Sequence, residues 1–147
     1  MLYEGEGIKL LIPQRDPIMM LDALVEVEGD TCHTQLTVRR NNYFVEEEEL
    51  LLSEPGLIEH IAQSASAMAG YRCVIKGEKA PIGYIGEVKK FHCHRRPAVG
   101  ELLETSITMG AEINGITLIT GETKVNGEVV ADTQMKIFIE DENESDN

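Results

Sequence analysis

The chain lacks tryptophan altogether, and aromatic residues make up only 5% of its 147 residues. It has no apolar run near the length of a membrane span and no basic stretch leading into an apolar segment at its start, so we expect neither a membrane helix nor a secretory signal. Its three cysteines, Cys32, Cys73 and Cys93, are widely spaced without a C-x-x-C pair, which argues against a disulfide framework or a zinc knuckle. A reducing cytoplasm is the expected location.

Positive charge is also scarce, because 13 lysines and arginines stand against 26 aspartates and glutamates, for a formal net charge of -13. Phosphate backbones would be repelled, so nucleic acid is not an expected partner. Hydrophobic residues at 42% and charged residues at 27% are ordinary values for a globular protein of one domain. We place that domain at 1–140 and predict that the acidic tail at 141–147 is disordered.

A run of small residues in the middle of the chain is its most informative feature. Ser53, followed by glutamate and proline, is typical of a helix N-terminus. From Ala62 to Gly70 nearly every side chain is small, and no charge occurs until Arg72, whereas a surface helix would carry a charged face. We therefore predict a helix from Ser53 to about residue 74, enclosed by other structure and stopped by Gly77.

Strand patterns lie on both sides of this helix. A short helical turn at 6–12 precedes the apolar run 18–21, which we interpret as a strand continuing toward Val27. The segment 31–38 alternates as a half-buried strand, with the following side chains on one face: Cys32, Thr34, Leu36 and Val38. After the helix we predict four strands, at 82–92, 102–113, 116–125 and 129–139.

Two Asn-Gly pairs, at 114–115 and 126–127, are strong signals for tight hairpins between the last three strands. A long helix between an early pair of strands and a late antiparallel meander favours an α+β layered fold with the helix on one face of the sheet. Such a layer leaves a sheet edge exposed, so we also expect an oligomer.

Three motifs occur in an order that resembles a known family. The segment 11–22 reads L-I-P-Q-R-D-P-I-M-M-L-D, the helix contains Glu59-His60-Ile61-Ala62-Gln63, and 82–94 carries a glycine, lysine and phenylalanine pattern. Together they resemble the hotdog-fold 3-hydroxyacyl-[acyl-carrier-protein] dehydratases of the FabZ type, with Gln14 where that family usually has histidine. Three further segments resemble a divergent branch encoded with aryl polyene and flexirubin pigment pathways: Ala69-Gly70-Tyr71-Arg72, Ile82-Gly83-Tyr84-Ile85-Gly86 and Phe91-His92-Cys93-His94.

The resemblance covers about 8–138 and implies a hotdog fold, in which an antiparallel sheet of about five to six strands wraps one central helix. It implies that Glu59 is catalytic in the dehydration of a 3-hydroxyacyl thioester, a reaction that needs both a base and an acid. Gln63, one turn on, would orient the carboxylate or the thioester. Gly56, at the helix N-terminus, and Tyr84 and Gly86 would lie against the substrate. No cofactor is expected, because the acyl group is carried on phosphopantetheine of an acyl carrier protein or coenzyme A.

One departure from the family is important. The FabZ type has a histidine, within an H-F-P-G motif, fourteen residues before the helix glutamate, and that count falls on Val45 here. No histidine lies between His33 and His60, so the catalytic pair is incomplete. We therefore expect that a second hotdog subunit supplies the histidine.

Alternatives remain open at this stage. The helix carboxylate would activate water in a thioesterase, and a non-catalytic acyl-binding subunit would retain Glu59 only as a relic. From the residues alone, Glu59 is equally an ordinary glutamate near the positive end of a helix dipole, and Gln63 equally a partner for buried backbone.

The remaining polar residues fall into two groups. Four cations lie close together in this acidic chain: Lys89, Lys90, Arg95 and Arg96. They predict a binding site for an acidic carrier protein or for the phosphate of phosphopantetheine. The alternative is that they protect a strand edge against aggregation. His60 is interpreted as structural or interfacial. His92 and His94 share a strand face, but they have no third ligand at a plausible spacing, so no metal site is predicted.

Overall fold

The computed structural model describes residues 1–140 and their side chains up to Ile139. The acidic tail predicted at 141–147 lies outside the described residues. Within 1–140, neither of the helices combines the length and hydrophobicity needed to cross a bilayer.

The elements follow one another as β1 (Tyr3–Glu4), a 3₁₀ helix (Gly5–Leu10), β2 (Ala23–Glu28), β3 (Thr31–Thr37), β4 (Val45–Glu46), β5 (Leu51–Leu52), α1 (Glu54–Val74), β6 (Ile82–Cys93), β7 (Leu102–Ile113), β8 (Ile116–Val125) and β9 (Glu128–Glu140). Seven strands form an antiparallel sheet in the order β1-β2-β3-β7-β8-β9-β6, and β4 pairs with β5 separately. The predicted α+β arrangement is confirmed, with slightly more strands than expected.

Both predicted hairpins are present. Asn114 and Gly115 have φ values of 54° and 80°, and Asn126 and Gly127 have 52° and 80°. Positive φ at both central residues is what a two-residue turn with the twist of its strands requires, and asparagine followed by glycine tolerates it best. These turns set the register of β7, β8 and β9 and so align the sheet on which α1 lies.

Helix α1 is enclosed, as its small side chains predicted. Every residue from His60 to Gly70 is buried. A Cβ atom on Gly70 would collide with the main-chain oxygen of Leu11, so glycine here lets the N-terminal segment cross the back of the helix. On the sheet side a Cβ on Gly121 of β8 would lie 2.6 Å from Ile61. The small residues thus admit main chain on one side of α1 and sheet on the other.

The strand predicted at 18–21 is wrong, because the chain becomes a strand only at Ala23. The N–H groups of Ile18 and Met19 bond to the oxygen of Arg15, and three further main-chain groups of this segment bond to helix side chains. The oxygen of Ile18 accepts a hydrogen bond from Gln63, the N–H of Met20 donates to Gln63, and the oxygen of Met20 accepts from His60. The apolar run therefore packs along α1 as an irregular cover.

Within residues 1–140, strand β6 forms one edge of the sheet and pairs only with β9. All residues from Tyr84 to Lys90 are exposed, and they include Ile85 and Val88. A long edge strand with exposed apolar side chains is the kind of surface that pairs with another chain.

Candidate active site

A cavity of about 260 Å³ lies between the N-terminal half of α1 and the start of β6. Its lining residues are Gln14, Glu59, Ala62, Ser66, Gly83, Tyr84, Ile85 and Ile137. Glu59, Ala62 and Ser66 follow one another at three and four residues, so they share one face of the helix. The close contact of helix and strand depends on Gly83, where a Cβ atom would lie 2.7 Å from the hydroxyl oxygen of Ser66.

The carboxylate of Glu59 is held by its neighbour one turn on. The side-chain amide of Gln63 donates a hydrogen bond from Nε2 to Glu59 Oε1 at 2.8 Å, and a second from the same nitrogen to the main-chain oxygen of Ile18 at 2.8 Å. Its Oε1 accepts from the N–H of Met20 at 2.6 Å. Gln63 is buried with every bond internal, so it positions Glu59 and is not itself available to a thioester.

His60 faces away from the cavity and belongs to a buried polar chain. Its Nδ1 lies 2.8 Å from the oxygen of Met20, and because a carbonyl only accepts, Nδ1 carries the proton. Nε2 then accepts from the hydroxyl of Thr105 at 2.7 Å, and Thr105 lies 2.8 Å from the hydroxyl of Thr123. Burial lowers the pKa of His60 to about 4, so the ring is neutral near pH 7. The structural interpretation of His60 is the one that this geometry favours.

Of the residues expected to contact substrate, Tyr84 lines the cavity and two glycines do not. Gly56 packs against the aromatic side chain of Phe44, where an added Cβ would meet Phe44 Cβ at 2.6 Å, and its N–H bonds to Ser53 Oγ at 3.4 Å. Gly86 lies under the ring of Phe138 on the outer face of the sheet. In each case another side chain of this domain fills the space that the missing Cβ leaves, so neither glycine lines this cavity, and their contact with substrate stays a prediction.

The predicted basic cluster separates into paired arginines and unpaired lysines. Arg95 holds both carboxylate oxygens of Glu101, at 2.8 and 3.2 Å. Arg96 bonds to Glu49 at 2.8 Å and to Glu46 at 3.2 Å, and it also donates to the main chain at Leu52. These arginines fasten the 46–52 segment and the turn after β6. Among the described residues, Lys89 and Lys90 have no acidic partner, and both are exposed.

None of the four histidines lines the cavity. Apart from buried His60, His33 bonds to Ser106 at the surface. His92 and His94 share the carboxylate of Asp132, at 2.9 and 3.0 Å. Within the part of the chain described, the cavity therefore combines one carboxylate with no imidazole.

The sequence predicts only Glu59 and Tyr84 of the eight residues that line the cavity, and the other six include Gln14, Ser66 and Gly83. Ser66 lies two turns from Glu59, so helical spacing alone could have found it. Gly83 belongs to the glycine-containing motif at 82–94, in which the sequence points to Tyr84 and Gly86 as the substrate contacts. Gln14 was noted only as a replacement of histidine, although its Oε1 is buried without any hydrogen-bond partner among the described residues.

A larger groove, of about 570 Å³, opens between the 3₁₀ helix and the 39–43 loop. Both of its cations are already paired, with Arg39 on Asp22 at 2.9 Å and Lys9 on Glu6 at 2.6 Å. Residues of the 11–22 motif line this groove, but none of the predicted catalytic, substrate-binding or carrier-binding residues does, so we place the candidate site in the smaller cavity.

The fold, with one helix enclosed by an antiparallel sheet and a glutamate presented near the helix start, defines a hotdog-fold protein of the FabZ-like class. The chain belongs to the ApeP-like family of dehydratases, whose family model matches residues 6–146. The resemblance found in the sequence is thereby confirmed.

Relatives support this assignment. The chain is 26% identical over 129 residues to the 3-hydroxyacyl-[acyl-carrier-protein] dehydratase FabZ of Xylella fastidiosa (strain M23), which covers 84% of this chain and 81% of that protein. To the enzyme of the same name from Clostridium botulinum (strain Loch Maree / Type A3) it is 28% identical over 137 residues, covering 90% and 92%.

Solved structures agree on the fold. The dehydratase heterocomplex ApeI:P from Xenorhabdus doucetiae superposes with a TM-score of 0.84 and 18% identity over 94% of this chain and 93% of that one. Cj0977 from Campylobacter jejuni superposes with a TM-score of 0.69 and 13% identity, over 90% and 93%. At such identities the comparison bears on the fold and not on the chemistry.

Proposed function

We propose that this chain provides Glu59 for the dehydration of a 3-hydroxyacyl thioester carried on acyl carrier protein, as one subunit of a hotdog oligomer. The observation that carries the proposal is the Glu59 carboxylate, which lines a cavity while Gln63 holds one of its oxygens. The product is the trans-2-enoyl thioester, and the pathway is one of fatty-acid or polyene pigment synthesis.

The chemistry requires two proton transfers. A base removes a proton from C2, the bond from C3 to the hydroxyl oxygen breaks, and an acid protonates that oxygen so that it leaves as water while the C2–C3 double bond forms. Glu59 performs one of these transfers. The cavity of the described chain offers no imidazole for the other, so a histidine from the facing subunit of a second hotdog protein takes that role.

The edge strand β6 supports the subunit arrangement. Tyr84, which lines the cavity, is 52% exposed, and Ile85 and Val88 next to it are also exposed. A partner strand that extends the sheet beside β6 would cover these apolar groups and at the same time approach the open side of the Glu59 cavity. The same contact thus buries the edge and completes the site.

The carrier-protein assignment rests on charge and on relatives. Lys89 and Lys90 are exposed cations without an acidic partner among the described residues, in a chain of formal net charge -13. They lie on β6, a few residues from the cavity wall formed by Tyr84 and Ile85. The FabZ relatives are dehydratases of acyl-carrier-protein substrates by name.

Reconstitution tests the proposal. The purified chain is mixed with 3-hydroxyacyl carrier protein, alone and with histidine-bearing hotdog proteins from the same organism, and loss of one water is followed by mass spectrometry of the carrier protein. We expect dehydration only in a mixture, and we expect Glu59→Gln to reduce it at least about 100-fold. The matched control is Glu54→Gln, an exposed glutamate in the first turn of the same helix.

Other outcomes identify the alternatives. Release of free thiol that depends on Glu59 would instead assign a thioesterase. Full dehydration by a mixture containing Glu59→Gln would make the chain a non-catalytic subunit. No dehydration in any mixture would reject the proposal.

A further inference from the structure

A chain of buried hydrogen bonds connects the sheet to the carboxylate of Glu59. It contains the following groups, in order: Thr123 on β8, Thr105 on β7, His60, the main chain of Met20, and Gln63. None of these five residues is more than 1% exposed. Because water does not replace a lost partner at such depth, each bond in the chain constrains the next.

The direction of these bonds is fixed by the main chain of Met20. Its oxygen only accepts, so Nδ1 of His60 carries the proton, and Nε2 must then accept from Thr105. Its N–H only donates, so Oε1 of Gln63 faces Met20 and Nε2 of Gln63 faces Glu59. One residue therefore sets both the tautomer of the ring and the orientation of the amide that holds the carboxylate.

The position of Met20 depends in turn on His60. Within residues 1–140 the carbonyl of Met20 has no other hydrogen-bond partner, and His60 and Gln63 are the two residues of α1 that bond to the segment 18–21. Loss of the bond from His60 would leave a buried carbonyl without a donor, which the segment can relieve only by moving. The N–H of Met20 would then move away from Gln63, and the amide would lose the contact that fixes its orientation.

We propose that His60 is a positioning residue for Glu59, which it orients through Met20 and Gln63 without lining the cavity. The inference rests on the proposed function, because the orientation of Glu59 matters only if its carboxylate acts on the substrate. An imidazole suits the position, since one rigid neutral ring donates on the side of Met20 and accepts on the side of Thr105. Burial lowers the pKa of His60 to about 4, which keeps Nε2 an acceptor near pH 7.

Two substitutions separate the two bonds of the ring. In His60→Asn the side-chain nitrogen takes the place of Nδ1 and still donates to Met20, whereas the longer side chain in His60→Gln reaches the place of Nε2 and bonds to Thr105 instead. In the reconstituted dehydration we expect His60→Asn to keep the turnover number within about threefold. His60→Gln should lower it about 10- to 100-fold and change the Michaelis constant less than about threefold, because a misplaced carboxylate affects the reaction more than binding.

A purely structural histidine predicts a different result. Both variants lose one buried hydrogen bond, so both would be destabilised, and the turnover number per folded molecule, with the folded fraction taken from urea unfolding, would be the same in each. That result, or a lower turnover number for His60→Asn than for His60→Gln, would overturn the proposal. If His60→Gln does not fold, His60→Leu takes its place, because leucine also lacks a donor to Met20 and adds no polar group to the core.

Thr34→Val is the matched control. It removes a hydroxyl that is as deeply buried and that bonds to Ser64 of the same helix at 2.7 Å, outside the chain of bonds that leads to Glu59. The variant should be destabilised and keep the wild-type turnover number per folded molecule. A loss as large as that in His60→Gln would overturn the proposal.

The side-chain amide of Gln63 gives a readout that needs neither turnover nor a partner. Nε2 donates to both Ile18 and Glu59, so its two proton signals in the NMR spectrum of the chain alone should be well separated and exchange slowly with solvent. Their loss in Gln63→Met identifies them. They should persist in His60→Asn and Thr34→Val and exchange at least about tenfold faster in His60→Gln.

Unchanged amide signals in His60→Gln would overturn the proposal even where turnover falls. If no mixture dehydrates the substrate, the proposed function fails, and the amide signals still decide whether His60 orients Gln63.

Discussion

Gln63 donates a hydrogen bond to Glu59 from one helical turn further on, with 2.8 Å between Nε2 and Oε1. The same side chain bonds to the main chain at Ile18 and Met20, 45 and 43 residues earlier. The orientation of the proposed catalytic carboxylate is therefore coupled to the irregular segment that covers the helix.

Replacing Gln63 by methionine should affect both stability and activity. The buried N–H of Met20 and the oxygen of Ile18 would lose their partner, which should lower the free energy of unfolding by about 2 to 4 kcal/mol. Glu59 would lose the bond that orients it, so the turnover number of the reconstituted reaction should fall more than its Michaelis constant rises. Urea unfolding and steady-state kinetics measure the two effects. The matched control is Gln35→Met, the same change on β3 and outside the cavity, and a Gln63→Met chain as stable as that control would contradict the coupling.

Carrier-protein binding should depend on the unpaired lysines of β6. Lys89→Glu replaces an exposed cation by an anion, which repels an acidic partner, and should weaken binding about tenfold at low salt. Lys76→Glu, with the same charge change near the end of α1, should have little effect. Titration by fluorescence anisotropy at several salt concentrations measures both. If the two variants bind equally, or if the difference does not shrink with salt, the lysines do not form the docking site.

Subunit assembly should depend on the exposed edge of the sheet. Val88, 36% exposed on β6, becomes a buried position if a partner strand pairs there, so Val88→Asp would place a charge in the contact and prevent pairing. The control is Ile75→Asp, which changes an apolar residue that is 61% exposed beyond the end of α1 and should leave subunit assembly unchanged. Sedimentation velocity should show a lower mass only for Val88→Asp, and equal masses would exclude β6 as the interface.

The sequence predicts an element of the fold well when the hydrogen bonds of that element are local, and poorly when its partners are distant side chains. The hairpins at Asn114 and Asn126 follow from two-residue chemistry, and the helix start follows from Ser53, so both were predictable. The segment 18–21 looked like a strand because its apolar pattern does not reveal that its main chain bonds to side chains on α1.

The candidate site, like the fold, could be predicted from the sequence only in part. Glu59 and Tyr84 were found through motifs, and the cavity contains both. Gly56 and Gly86 do not line the cavity, and their sequence positions could not show this, because a glycine in a sequence does not reveal which neighbour fills the space beside it, here Phe44 and Phe138. The position of Gln14 in the cavity wall is visible only in three dimensions, since it precedes Glu59 by 45 residues in the chain.

The free energy of unfolding should depend on pH through the titration of His60. Burial lowers the pKa of this ring to about 4 in the folded chain, although the carbonyl of Met20 and the carboxylate of Asp22 act in the opposite direction. Unfolded, the ring takes up a proton near its ordinary pKa of about 6.5. Between these values the unfolded state binds more protons, so stability decreases as pH falls from about 6.5 to about 4, by on the order of 3 kcal/mol.

Substitution isolates this contribution from the other titrating groups. His60→Gln removes the titration and should be less stable than the wild type at pH 8, because the amide reproduces the bonds to Met20 and Thr105 imperfectly. The free energy of unfolding of His60→Gln should then change less on acidification. The difference in stability between this variant and the wild type should therefore become smaller from pH 6.5 toward pH 4. His33→Gln, at an exposed histidine bonded to Ser106, should follow the wild-type curve. Urea unfolding at intervals between pH 4 and pH 8 measures all three, and parallel curves for wild type and His60→Gln would show that the ring titrates alike in the folded and unfolded states.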